Sequence, residues 1–96
     1  MKIVVKEVGK KPEVREINGN LHEMQEIVGG YIECVHIGTQ IACVCNEMGK
    51  LNGLRPNFML DGDIIVGDVF FVGVGFDDFK SLSLKQIQFI KDAFRM

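Results

Sequence analysis

The 96-residue sequence predicts an α+β fold, in which a mainly antiparallel sheet carries two helices on its faces. Three features predict it. β-rich segments come in pairs separated by turn residues, two other segments show helical periodicity behind an N-cap residue, and a long apolar run precedes the second helix. The predicted order is β-β-α-β-β-loop-β-α in a single domain over residues 1–96, with a β-grasp-like arrangement as a candidate for the N-terminal part.

The first part of the chain is predicted to form a hairpin followed by a helix. Residues 2–8 are β-rich, and residues 13–17 resume an alternation of apolar and charged positions after a turn. Asn20, followed three residues later by a glutamate, has the spacing of a capping box and predicts the start of a helix. Gly29 predicts its end, because glycine adopts the left-handed cap conformation without a Cβ clash.

The second part is predicted to form another hairpin, a buried strand and a helix. Residues 31–37 and 41–46 read as paired strands around a short turn. Residues 64–72 are apolar at nearly every position, which predicts a central strand covered on both faces. Ser83 and Gln86 have capping-box spacing and predict a C-terminal helix. The predicted apolar stripe of that helix is Leu84, Ile87, Ile90 and Phe94.

Charge and composition exclude several classes of protein. Eleven basic and thirteen acidic residues give a formal net charge of −2, without a basic stripe that could neutralise phosphates, so autonomous nucleic-acid binding is not expected. No apolar run approaches the roughly 20 residues that span a bilayer, and the first residues lack a signal-peptide pattern. The three cysteines have no disulfide spacing and are expected to be reduced. These features predict a cytoplasmic protein without membrane association or a cofactor.

Four segments carry a resemblance to a known family. They are residues 25–33 (QEIVGGYIE), residues 45–54 (CNEMGKLNGL), the dipeptide 56–57 (PN) and residues 62–67 (GDIIVG). In these segments the chain resembles the domain of unknown function 3846 family, and the resemblance extends over nearly the whole chain. It implies a small bacterial or phage protein of the kind found in Gram-positive genomes and mobile elements. It implies no functional residues, because none is assigned in the family.

Four residues of metal-ligand type lie on two strands that are predicted to be neighbours: Cys34, His36, Cys43 and Cys45. A two-residue turn between the strands would place all four side chains on one face, whereas a three-residue turn would separate the first two from the others. Even on one face, side chains two positions apart on a strand lie roughly 7 Å apart, too far for two ligands of one zinc ion. We predict no metal site and leave the register open.

The segment 45–57 is the candidate functional site, because long polar connectors in small domains are often functional. In one interpretation its polar groups bind a partner. In the other, its glycines form turns, Leu51 and Leu54 pin it to the core, and the polar groups face water. The candidate binding residues are Asn46, Glu47, Lys50, Asn52, Arg55 and Asn57.

Two functions follow as hypotheses. The first is a non-catalytic interaction or regulatory module that contacts a protein partner through this loop and an exposed sheet edge. The second is a small-ligand-binding protein or enzyme, which a convergent pocket with shifted titratable groups would favour. Its candidate residues are Glu33, His36, Asn46, Lys50 and Arg55. A homodimer is also expected, since two helices alone would leave part of the strand over 64–72 uncovered.

Overall fold

The computed structural model describes residues 1–95 and confirms the α+β fold. This part of the chain contains two helices and eight strands, of which six form the main sheet and two form a separate ribbon. The elements are β1 (Lys2–Lys6), β2 (Glu13–Glu16), α1 (Leu21–Val28), β3 (Ile32–Ile37), β4 (Ile41–Asn46), β5 (Pro56–Leu60), β6 (Asp63–Val66), β7 (Val69–Val74), β8 (Phe79–Lys80) and α2 (Leu84–Ala93).

The main sheet has the order β2-β1-β7-β4-β3, with the short strand β8 beside one end of β7. Both predicted hairpins, β1–β2 and β3–β4, are present, and β7 lies between them. All the pairings are antiparallel. The β5–β6 ribbon is an excursion of the chain between β4 and β7, two strands that pair directly with each other.

The core has two halves, one on each face of the central strand β7. Phe70 and Phe71 are consecutive on β7, are both 0% exposed, and point to opposite faces of the sheet. Phe70 packs in the cluster that contains Met24 and Val28 of α1. Phe71 packs in the cluster that contains Ile90 of α2, so each face of β7 is covered by a helix.

The β5–β6 ribbon completes the second half of the core. The ring of Phe58 on β5 stacks 5.9 Å from Phe71, and both rings contact Phe94 at centroid distances of 4.8 Å. Ile65 of β6 is also buried in this cluster. The predicted homodimer rests on two helices alone covering the sheet. The β5–β6 ribbon supplies additional cover, so this reason for dimerisation does not hold, and the homodimer stays a prediction.

Helix α1 has the predicted ends, although its capping differs in detail. The Asn20 side chain accepts a hydrogen bond from the Glu23 backbone N–H at 2.9 Å. The Glu23 carboxylate reaches back beyond the cap residue, because it accepts from the backbone N–H groups of Asn18 and Gly19. Gly29 closes the helix with φ +79°, the left-handed conformation that glycine adopts without strain.

Helix α2 has a complete capping box. Ser83 accepts from the Gln86 backbone N–H, and the Gln86 side chain accepts from the Ser83 backbone N–H. Ile87 and Ile90 are buried as predicted. The prediction for Leu84 is wrong, since its side chain is 79% exposed. Leu84 is the first residue of the helix, which at that point still lies at the edge of the cluster.

The predicted strand over 64–72 is divided into β6 and β7. Gly67 has φ +76° and lies so close to Leu54 that a Cβ there would come within 2.8 Å of the leucine Cδ1. Asp68 beside it accepts a hydrogen bond from the Val8 backbone N–H at 2.9 Å. The chain therefore turns at this point, from the ribbon into the main sheet.

We expect Ile90→Ala to lower the free energy of unfolding by about 2–5 kcal/mol, because it empties a fully buried site between α2 and the sheet. The matched control is Phe89→Ala, next to it on the same helix, where the side chain is 51% exposed. Urea denaturation followed by circular dichroism measures both. Equal losses in the two variants would contradict the packing of α2 described above.

Candidate functional site

The register of the β3–β4 hairpin divides the cysteine and histidine cluster. Cys34 pairs with Val44, and Cys43 pairs with Val35, so the turn is of the three-residue kind. Cys34 and His36 therefore lie on the face that carries α1, while Cys43 and Cys45 belong to the opposite half of the core. Among residues 1–95, no group of three or more His, Cys, Asp or Glu side chains is arranged to hold a metal ion.

The buried thiols are not activated. Burial, reinforced by the nearby Glu33 carboxylate, raises the pKa of Cys45 to about 11. Burial also raises the pKa of Cys43. A thiol with a raised pKa is protonated at neutral pH and is a poor nucleophile. The arrangement around Cys45 gives no chemical basis for covalent catalysis.

A cavity of about 120 Å³ opens beside Cys45, between the β3–β4 hairpin and the β5–β6 ribbon. Its apolar wall includes Val35 of β3 and Ile65 of β6. Its charged groups come from three parts of the chain: Glu33 on β3, Glu47 and Lys50 in the connector that follows β4, and Asp63 at the start of β6.

The cavity is negatively charged. The Lys50 ammonium is bound to the Asp63 carboxylate at 2.6 Å, and this hydrogen bond lowers the pKa of Asp63. Neither Glu33 nor Glu47 forms an ion pair with another group in the described part of the chain. Three carboxylates and one ammonium give the cavity a formal charge of −2.

The connector that follows β4 is a folded turn, and Asn46 anchors it. The buried Asn46 side chain donates to the Val28 carbonyl at 3.2 Å and accepts from the Met48 backbone N–H at 2.8 Å. It thereby joins the end of α1 to the start of the connector. Gly49 is required within the turn, because a Cβ there would come within 2.8 Å of Val66 Cγ2.

Asn57 is a second internal anchor, and it lies on β5 because the predicted loop ends at Arg55. Its amide nitrogen donates to the carbonyls of Lys6 and Gly67, both at 2.8 Å, and its oxygen accepts from Lys6 Nζ at 3.0 Å. Lys6 is buried, and this burial lowers its pKa, although the Asp68 carboxylate partly offsets the effect. Asn57 therefore supports the fold and solvates a buried ammonium.

The other predicted site residues divide between two regions. Glu47 and Lys50 line the cavity, whereas Asn52 is exposed at a turn and Arg55 borders a separate depression on another side of the molecule. His36 lies on the opposite face of β3 from Glu33. Of the residues considered for an enzyme, Glu33, Asn46 and Lys50 line the cavity, whereas His36 and Arg55 do not.

Sequence reasoning missed Asp63 as a cavity residue because it missed the β5–β6 hairpin. Asp61 and Gly62 both have positive φ, +49° and +81°, as the two central residues of a tight hairpin turn require. The dipeptide Asp-Gly between two apolar segments was the available signal. The tight turn pairs Leu60 with Asp63 and thereby brings the Asp63 carboxylate to Lys50.

The outer edge of β3 borders this cavity and is unpaired within residues 1–95. Since the Glu47 N–H donates to the Tyr31 carbonyl at 2.8 Å, antiparallel alternation directs the backbone groups of Tyr31, Glu33 and Val35 toward β4. Those of Ile32, Cys34 and His36 consequently point away from the sheet. They form a row of free donors and acceptors over the six-residue strand.

Strand β3 is less protected against further strand pairing than the strand at the opposite edge of the sheet. The edge strand β2 has four residues, follows Pro12, and contains the Arg15–Glu13 ion pair at 2.8 Å. Proline and charged side chains on an edge strand discourage further strands from pairing with it. β3 is longer, with six residues, and its one carboxylate, Glu33, forms no ion pair in the described part of the chain. The edge at β3 is therefore the more accessible of the two for pairing with another strand.

Together these features define a small α+β protein with an open sheet edge next to an acidic cavity. The model of the family described as "Domain of unknown function (DUF3846)" matches residues 1–95, and the chain belongs to that family. This confirms the resemblance seen in the sequence. No curated protein and no solved structure matches the chain. In the described part of the chain, neither helix is long and apolar enough to cross a membrane.

We expect Asn57→Ala to lower the free energy of unfolding by about 1–3 kcal/mol, because it removes one of the two acceptors of the buried Lys6 ammonium and the donor to two carbonyls. Asn52→Ala, at an exposed asparagine in the connector that precedes β5, should change the free energy of unfolding by less than about 0.5 kcal/mol. Chemical denaturation of both variants tests this. A stable Asn57→Ala protein would show that the Asn57 contacts do not support the fold.

A second expectation concerns the thiols. Iodoacetamide at pH 7.5 should alkylate the exposed Cys34 first. Cys43 should react only after denaturation because it is fully buried, and Cys45, at the wall of the cavity, should react slowly because its raised pKa keeps the thiol protonated. Peptide mapping by mass spectrometry locates each adduct. Early alkylation of Cys45 in the native protein would contradict its placement.

Proposed function

We propose that this protein is a non-catalytic interaction module that binds an extended segment of a protein partner as an additional strand along β3. The observation that carries the proposal is the edge of β3, which is unpaired within residues 1–95 and has outward-pointing backbone groups at Ile32, Cys34 and His36. Strand addition to an exposed edge is a common mode of peptide recognition, in which main-chain hydrogen bonds supply affinity and adjacent pockets supply specificity. A regulatory role in the cytoplasm is part of the proposal, and the three unpaired cysteines support that location.

At the β3 edge, the size of the cavity favours this function over the binding of a small ligand in the same cavity. Pockets for drug-sized ligands usually have volumes of about 300–1,000 Å³. The cavity beside Cys45 has about 120 Å³, which suits a single side chain rather than a whole metabolite. Within the proposal, Glu47 and Lys50 belong to the binding surface, while Asn46 and Asn57 hold the elements around it in place.

The proposal is tested with a peptide of defined composition and the intact protein. The probe is the capped heptapeptide Thr-Val-Thr-Lys-Thr-Val-Thr, titrated into ¹⁵N-labelled protein and followed by amide chemical shifts and hydrogen exchange. We expect shifts along β3 and slower exchange of the Cys34 and His36 amides, which have no partner in the free protein. Shifts confined to other elements, or no shifts at millimolar peptide, would overturn the proposal.

Two controls separate strand addition from other binding. Cys34→Pro removes the outward-pointing N–H of Cys34, a change that an edge strand tolerates, and it should abolish the chemical-shift changes caused by the peptide. Cys34→Ala keeps this N–H and should retain the shift changes. The same peptide with N-methyl groups on alternate residues loses its own donors without any change to the protein. Equal binding of the methylated and unmethylated peptides would contradict strand addition, whatever the stability of the proline variant.

A further inference from the structure

We infer that the strand bound along β3 contributes a lysine or arginine side chain to the acidic cavity, an inference that rests on the proposed function. Glu33 and Val35 belong both to the edge strand and to the cavity wall. Side chains of an added strand alternate between the two faces of the sheet. Those on the face shared with Glu33 lie over the mouth of the cavity, at about 4.8 Å from β3.

The lining of the cavity matches the two parts of a long basic side chain. Val35 and Ile65 offer apolar surface for the aliphatic stem. Glu33 and Glu47 offer carboxylates for the charged end. They occupy diagonal positions on one face of the hairpin, roughly 7 Å apart, so one ammonium or guanidinium group can contact both. Lys50 does not compete for them, since it is already bound to Asp63.

A second copy of this chain is the less suitable occupant of the same edge. Two β3 strands paired around a twofold axis would be centred on Cys34 or Val35, and residues of one face would stay on that face. The two Glu33 carboxylates would then lie on the same face, roughly 8 to 14 Å apart, with both acidic cavities along one seam. Like charges in this arrangement repel, so charge complementarity favours a basic segment over self-association.

The test compares three heptapeptides that differ only in the central residue, which is lysine, norleucine or glutamate. We expect the lysine peptide to bind about tenfold more tightly than the norleucine peptide, and the glutamate peptide to bind more weakly than both. The Glu33→Gln/Glu47→Gln double variant should reduce the affinity for the lysine peptide to that for norleucine. Glu13→Gln, on the far edge strand, is the matched control and should change neither affinity.

The outcomes distinguish this inference from the proposed function. Equal affinities for the lysine and norleucine peptides, with the β3 amide shifts retained, would overturn the inference that a basic side chain enters the cavity. Strand addition along β3 would still stand. A lysine preference that survives in the double variant would also overturn it. Absence of binding by all three peptides would overturn both. Dimerisation through β3, seen as a doubled mass in light scattering and lost in Cys34→Pro, would identify a second copy as the occupant instead.

Discussion

The rest of the structure depends on the need to cover both faces of β7. Its consecutive residues Phe70 and Phe71 are fully buried on opposite sides of the sheet. A single layer of helices would leave one of them in water, at a cost of roughly 1.5–3 kcal/mol for a side chain of this size. Different elements cover the two faces. Helix α1 covers one face, whereas the other requires both α2 and the β5–β6 ribbon.

The position of the candidate site depends on how far the β5–β6 ribbon extends over the sheet. The ribbon packs over the centre of the sheet, where Phe58 and Ile65 contact the core, but toward β3 it leaves a gap instead of a packed contact. Charged groups remain in water at this margin and therefore cost little to keep there. The gap, the carboxylates and the unpaired strand edge occur together because all three lie where the β5–β6 ribbon no longer covers the sheet.

The parts of the fold that depend on local sequence were predictable. Asn20 and Ser83 cap their helices through bonds to residues three positions away, so the signal and the structure lie in the same short segment. The division of the 64–72 segment was not predicted, because its apolar residues conceal the turn at Gly67, which depends on contact with the distant Leu54. The register of the β3–β4 pair could not be predicted for a similar reason, because the packing on both faces of the sheet decides it.

The candidate site was predictable only in part. Glu47 and Lys50 lie inside the 45–57 segment that the sequence singled out. Glu33 reaches the cavity through strand pairing, and Asp63 reaches it through the β5–β6 hairpin, for which the Asp-Gly dipeptide was the only local signal. Arg55 was included because it is close in sequence, although the chain has already turned away from the cavity at that point. The sequence therefore predicted the region of the site, but tertiary contacts decide which residues line the cavity.

The position of β7 in the sheet also has a consequence for the order of folding. Its partner β1 lies far away in sequence, and 67 positions separate the paired residues Val4 and Phe71. During synthesis, 58 residues separate the end of β2 from the end of β7, which takes roughly 3 to 12 seconds at typical translation rates. For that interval the first hairpin has no neighbour on its inner edge, and its residue Val4 lacks its packing partners, because they belong to elements that are synthesised later. The nascent chain is then most exposed to pairing with another copy of itself.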